Sequence, residues 1–172
     1  MPDKSTLKRA AADRRAGKSP STQAGEFVRQ EMHHIREGKH GAKSAKQAIA
    51  IGLSEARRAG VPLKPPKKGK ASQKTRRSAQ RALRAGERGT KKRKTSARRS
   101  RAVEGVLRRE GRSAASHRAL SRQAHRAAGK RTRSDRSAAA RKASRTKGAA
   151  ERSRAARKGA RTRAAHRASH RA

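Results

Sequence analysis

Residues 21–60 read STQAGEFVRQEMHHIREGKHGAKSAKQAIAIGLSEARRAG, and this stretch decides the fold. Val28, Met32 and Ile35 recur at i, i+4 and i+7, which sets them on one face of a helix, and Phe27 widens the stripe. Pro20 stands just before, and Ser21 or Thr22 can cap the first turn. Gly38 suits the left-handed residue that ends a helix. The spacing predicts a helix over 21–37. A second is predicted over 44–59, where Ser44 and Gln47 form an S-x-x-Q capping box. Ala45, Ala48, Ile49, Gly52, Leu53 and Ala56 share one of its faces, and Gly60 with Pro62 beyond it marks the stop. The connection between the two is short and bounded by glycine, as an antiparallel helical hairpin requires. Its expected core is Val28, Met32, Ile35, Ile49 and Leu53. That core is small for roughly 40 ordered residues, so the hairpin is expected to need a partner, a second copy or a nucleic-acid surface.

Outside this stretch apolar side chains are scarce. Leu, Ile, Val and Phe make up 14 of the 172 residues, and most of the remaining apolar content is Ala, which favours helix but adds little core. Chains below about 20% in these four types with a large net charge usually do not bury enough apolar surface to order themselves. The expected fold is therefore all-α: a small helical hairpin, then a long, largely disordered or weakly helical Arg/Lys/Ala-rich extension, with no β-sheet. The organisation reads as a basic N-terminal arm (1–19), the hairpin (20–61), a Pro/Lys linker (62–71), short basic helical segments (72–129) and a low-complexity Arg/Ala/Ser tail (130–172). Helical stretches are expected at Ser72–Ala85, Ser100–Glu110 and Ser113–Ala128, each followed by a glycine.

Charge carries the functional reading. The chain holds 52 Lys and Arg against 11 Asp and Glu, a net of +41. Residues 1–60 contribute 13 cations and 6 acids, and residues 61–172 contribute 39 and 5. Such a balance speaks to partners and not to fold. Nucleic acid is the expected partner, because neutralising phosphates releases condensed counterions without a folded pocket. Double-stranded DNA is expected first and RNA second. Single-strand readers stack bases on aromatic side chains, and Phe27 is the only Phe, Tyr or Trp here. The cations expected to touch phosphate are Lys39, His40, Lys43, Lys46, Arg57 and Arg58 around the second helix. Lys67, Lys68 and Lys70 follow in the linker, and Lys91, Lys92, Arg93 and Lys94 form a block beyond it.

Other chemistry is thinly marked. Cys is absent, which removes disulfides and thiolate metal sites. Gly17-Lys18-Ser19 lacks the first glycine and the preceding strand of a phosphate-binding loop. His33 with Glu37, and His166 with His170, are i, i+4 pairs with no third ligand nearby in the sequence. No nucleophile, base and orienting group come together. The reading is a non-enzyme with no cofactor and no metal. The longest apolar run, Ala48–Ile51, is far too short for a membrane span, so no membrane partner is expected. A homodimer through the hairpin is the remaining expected association.

Four words of the quoted stretch, STQAGEFV (21–28), REGKHG (36–41), KQAIAIGL (46–53) and ARRAG (56–60), resemble a family of short basic bacterial proteins grouped as a domain of unknown function. The resemblance covers about residues 18–69 and implies a bacterial cytoplasmic source, with no activity to carry over. Beyond residue 70 the composition is similar to the tails of linker histones and bacterial histone-like proteins, though no R-G-R-P hook is present. With the charge balance, the expected function is that of a nucleoid-associated, histone-like protein that binds DNA without reading sequence. An RNA- or ribosome-associated protein is the first alternative, and a protein-interaction module with a basic tail is the second.

Overall fold

The computed structural model describes residues 2–88, 96–146 and 148–169, and no strand occurs among them. The described residues form eight α-helices: α1 (Lys4–Arg15), α2 (Pro20–Arg36), α3 (Ala45–Arg58), α4 (Gln73–Glu87), α5 (Ala97–Arg109), α6 (His117–Gly129), α7 (Arg133–Thr146) and α8 (Ala149–Ser169). A single 3-10 turn, Arg112–Ala115, precedes α6. The chain divides into two compact units, residues 1–124 and 125–172, and the division falls inside α6.

In the first unit α2 and α3 form the hairpin. Met32, Ile35, Ala42 and Ala48 lie in one buried cluster, with Val28 and Ile49 packed against it. Ala24, Phe27, Ala56 and Val61 lie in a second, with Leu53 and Leu63 against it. Early α2 thus meets late α3 and late α2 meets early α3, so the helices run antiparallel. Of the expected core, Met32 and Ile35 are buried while Val28, Ile49 and Leu53 are half-buried. Phe27 is fully buried. The contact is close because Gly52 faces the α2 backbone: a Cβ there would stand 2.7 Å from the Val28 Cα.

Glycine also closes the helix ends. After α2, Gly38 takes φ +79°, its N–H donates to the Ile35 carbonyl, and the Lys39 N–H donates to the His34 carbonyl. After α3, Gly60 takes φ +89°, with Gly60 N–H to Arg57 O and Val61 N–H to Ala56 O. Both are Schellman closures, which need a residue at home in the left-handed region. At the start of α3 the Ser44 hydroxyl accepts the Gln47 N–H at 3.2 Å. The reciprocal half of the capping box is not made, because the Gln47 amide donates to Glu110 at the end of α5 instead.

The hairpin is not bare, and this corrects the expected architecture. α1 packs on α2, α4 packs on α3, and the 3-10 turn packs on both α2 and α3. Ala10 of α1 enters one cluster, and Ala114, Ala115 and Leu120 complete the other. The loop after α2 is hydrogen-bonded to the end of α5, with Gly41 N–H to Leu107 O at 2.8 Å and Ala42 N–H to Gly111 O at 3.2 Å. The apolar surface missing from the hairpin is supplied by alanines scattered through segments that read as polar.

The extension is likewise helical across its described residues and not largely disordered. Ala and Arg are both strong helix formers, and screened like-charge pairs cost only about 0.2–0.5 kcal/mol each. Its helices are also capped. Ser72 accepts the Thr75 N–H. Thr132 and Asp135 exchange bonds, Asp135 N–H to the Thr132 hydroxyl and Thr132 N–H to the Asp135 carboxylate. The two acids of the second unit, Asp135 and Glu151, sit in the first turns of α7 and α8, where the helix dipole favours negative charge.

α1 is fastened by Glu26 of α2, which accepts from Arg9 at 2.7 Å and from Arg29 at 2.6 Å. Partial burial alone would raise the Glu26 pKa, but the Arg29 and Arg9 hydrogen bonds outweigh it and hold the carboxyl below its ordinary value of 4.5. A depressed carboxylate contributes stability above its unfolded value and loses it as pH falls through the folded one. Both arginines are near half-exposed, so the ties are worth under about 1 kcal/mol each. Acidification from about pH 6 to about pH 3 should lower the hydrogen-exchange protection factors of α1, each taken against the intrinsic rate at that pH, before those of the rest of the unit, and Glu26→Gln should show the lowered protection already at pH 6.

The packing gives a paired test. Gly52→Ala should cost about 1–3 kcal/mol, read from the denaturation midpoint, because the new methyl meets backbone and not a movable side chain. Gly25→Ala, on the exposed face of α2 with nothing within 4 Å, should instead gain about 0.5–1 kcal/mol.

Candidate nucleic-acid interface

α4 is built to hold cations rigidly outward. Ala79 and Ala82 are buried. A Cβ on Gly86 would meet the Arg57 carbonyl at the end of α3, so this face lies directly against α3. At about 100° per residue, Lys74, Arg77, Arg81, Arg84 and Arg88 fall on the opposite side of the helix. All five are exposed. Their spacing of three and four residues makes neighbours of each successive pair. The stripe runs for about 20 Å at 1.5 Å per residue. Arg76 is turned aside and donates to the Pro66 carbonyl at 3.2 Å, which ties the linker to the first turn of α4.

The linker leads its own cations into this stripe. Val61 is buried and Leu63 half-buried. Beyond Pro66 the chain turns at Gly69, with Lys70 N–H bonded to Lys67 O at 3.1 Å, and Lys67, Lys68 and Lys70 are exposed. Lys43, Lys46 and Arg58 are also exposed, at the start and end of α3. Lys39 is exposed and pairs with Glu37 at 3.1 Å.

Two of the expected contact residues face inward. The Arg57 guanidinium is buried and donates to the carbonyls of Leu63 at 3.0 Å, Leu53 at 3.4 Å and Lys64 at 3.5 Å. Burial pulls its pKa below the ordinary arginine value. It is a clamp between α3 and the linker. His40 places Nδ1 3.1 Å from the Gly41 carbonyl and Nε2 3.6 Å from the Glu31 carboxylate. Lys91, Lys92, Arg93 and Lys94 lie outside the described residues.

Lys74, Arg77, Arg81, Arg84 and Arg88 are absent from the contacts expected of the sequence. Their signal, a three-four spacing of cations, is present there but is masked by the apolar side of the same segment. Glu31 and His34 are absent from those expectations too, and they come together under the end of α2 with His40, which was expected there as a phosphate contact. The pairs weighed from sequence go elsewhere: His33 and Glu37 are exposed, and His170 lies outside the described residues. Glu31 is 1% exposed. Burial raises its pKa, His40 lowers it and Glu55 raises it further, leaving the carboxyl at about 7.

Among the described residues no helix is long and apolar enough to cross a membrane. Residues 19–69 match the model of a family of unknown function, DUF6496, and this is the stretch that carries the resemblance noted above. No curated protein and no solved structure matches the chain.

Arg57→Ala should cost about 1–3 kcal/mol in a denaturant melt, the scale for losing hydrogen bonds from a buried charged group. The salt dependence of duplex binding should stay at its wild-type slope in this variant, since the side chain is spent on backbone carbonyls.

Proposed function

We propose that this protein binds double-stranded DNA without sequence preference, by neutralising phosphates. The cationic stripe of α4 carries this reading. Five exposed cations are held on one line by a helix whose opposite face is packed, so little backbone entropy remains to be lost when they meet phosphate. A duplex presents one charge per about 1.7 Å of axis, and a stripe of about 20 Å spans enough phosphates to occupy every one of its cations. Lys67, Lys68 and Lys70 extend the stripe, and Arg58, Lys46 and Lys43 add charge on α3. The arginines of α7 and α8, interleaved with alanine and exposed, add a second cationic surface that needs only backbone contact.

A duplex is favoured over single strands because Phe27, the only Phe, Tyr or Trp, is fully buried and offers no stacking platform. The purpose this suggests is packaging or bridging of duplexes in a bacterial nucleoid, with no catalytic step.

Binding to a random duplex should be titrated between about 50 and about 200 mM salt, with log K falling linearly in log salt. Replacing Arg77, Arg81 and Arg84 together with Gln should reduce the slope by about 2–3 units, near 0.9 for each phosphate no longer neutralised. Wild-type slope and affinity in that variant would remove the stripe from the interface. Competition at fixed salt separates the partners: displacement by structured RNA at lower concentration than by duplex DNA would move the assignment to RNA.

A further inference from the structure

The end of α2 gathers three metal-ligating side chains. Glu31 and His34 stand three residues apart, on neighbouring turns of one face. The Gly38 closure then turns the chain back, and His40 returns beside them. One ligand atom from each of the three lies within 4.8 Å of the other two. Neither the net charge nor the nucleic-acid reading requires this arrangement.

The carboxylate is left unsatisfied by the protein around it. Glu31 is 1% exposed, and its Oε1 has no hydrogen-bond partner. Its Oε2 stands 3.6 Å from His40 Nε2, too long for a good hydrogen bond. Glu55 of α3 adds a second carboxylate with an unpartnered buried oxygen, and its charge acts on Glu31. Two acids have been brought together in a chain of net charge +41, and among the described residues the ion-pair partner of Glu31 is His40 and not an arginine. A buried polar atom without a partner is costly, and Oε1 of Glu31 is such an atom, with lone pairs that a cation can take up.

The histidines are disposed to complete the site. His40 Nδ1 donates to the Gly41 carbonyl at 3.1 Å. In the neutral ring this sets the tautomer and turns the Nε2 lone pair toward Glu31, and the Nδ1 contact is the outer bond that metal-bound histidines make. His34 Nε2 makes two long contacts among the described residues, with Gln30 Nε2 at 3.4 Å and Asp3 Oδ2 at 3.5 Å. Beside His34 a hollow of about 230 Å³, bounded among others by Asp3, Gln30 and Lys39, opens to solvent. It opens a path from solvent to His34, the one of the three ligands that lines it.

We propose that Glu31, His34 and His40 bind one divalent transition-metal ion, with zinc the best match. Two imidazoles and one carboxylate suit zinc and its first-row neighbours, whereas magnesium and calcium take oxygen sets. Zinc bonds of about 2.0–2.1 Å in a tetrahedron put ligand atoms roughly 3.4 Å apart, so the three side chains close inward on the ion. The bound ion would fasten the loop 38–43 to α2, the loop whose Gly41 and Ala42 amides bond to the end of the α5 segment.

The test uses the full-length chain stripped of metal with EDTA and then freed of chelator. Zinc is titrated by calorimetry, and cobalt(II) by its visible absorption, which reports tetrahedral coordination. One ion per chain and a melting temperature that rises with zinc are expected. His40→Gln and Glu31→Gln should each weaken binding by more than about tenfold. His117→Gln and His166→Gln, outside the cluster and the hollow beside it, should bind as wild type. Far-UV circular dichroism shows whether each variant remains helical, and His40→Gln, in a loop, gives the reading if Glu31→Gln unfolds. Higher salt screens the net positive charge, so zinc affinity should not fall with salt, unlike that for nucleic acid. Absence of saturable zinc and cobalt binding, or binding unchanged by His40→Gln, would overturn the proposal.

Discussion

The first unit depends on backbones coming close enough for very small side chains to fill the space between them. Gly52 lets α3 settle against the α2 backbone at Val28, Gly86 lets α4 settle against the Arg57 carbonyl, and Gly41 admits the Glu110 carbonyl. Around these approaches the buried set is mostly alanine: Ala24, Ala42, Ala45, Ala48, Ala56, Ala79, Ala82, Ala114 and Ala115. Among the described residues the larger buried apolar side chains are Phe27, Met32, Ile35 and Val61. With larger residues at the glycines the helices would part, and alanine methyl groups could not bridge the gap.

The same economy decides where charge goes. A helix that buries only alanine and glycine on one side has the rest of its circumference left for long side chains. α4 shows the outcome, with arginine and lysine lined up opposite Ala79, Ala82 and Gly86. Where a cation is taken inside, as with Arg57, several carbonyls surround it. Where an acid is taken inside, as with Glu31, the protein supplies no such shell, and the two histidines beside it become the feature that needs explaining.

The hairpin was legible because it follows ordinary rules: a three-four spacing of Val28, Met32 and Ile35, a serine cap, and glycines at both ends. α1 was not legible because its most apolar residue misleads. Leu7 is 41% exposed, while Thr6 and Ala10 are buried, and neither of those types announces a core. The docking of Ala114 and Ala115 was hidden for the same reason, since one alanine looks like any other in a chain full of them. The metal-ligand cluster needed the third dimension. Glu31 and His34 share a face that could be drawn on a helical wheel, but His40 joins them only through the turn at Gly38. Reading the tail as largely disordered or weakly helical gave mutual repulsion too much weight and gave too little to the cap at Thr132 and Asp135 and to Glu151 in the first turn of α8.

A core assembled from alanine methyls has a thermal consequence. Opening it wets little apolar surface per residue, and the heat-capacity step that accompanies unfolding scales with that surface. The curve of free energy against temperature is correspondingly shallow. Warmth and cold then alter the strength of this fold only gently, and the molecule yields over a broad span of degrees where a bulkier interior would give way abruptly.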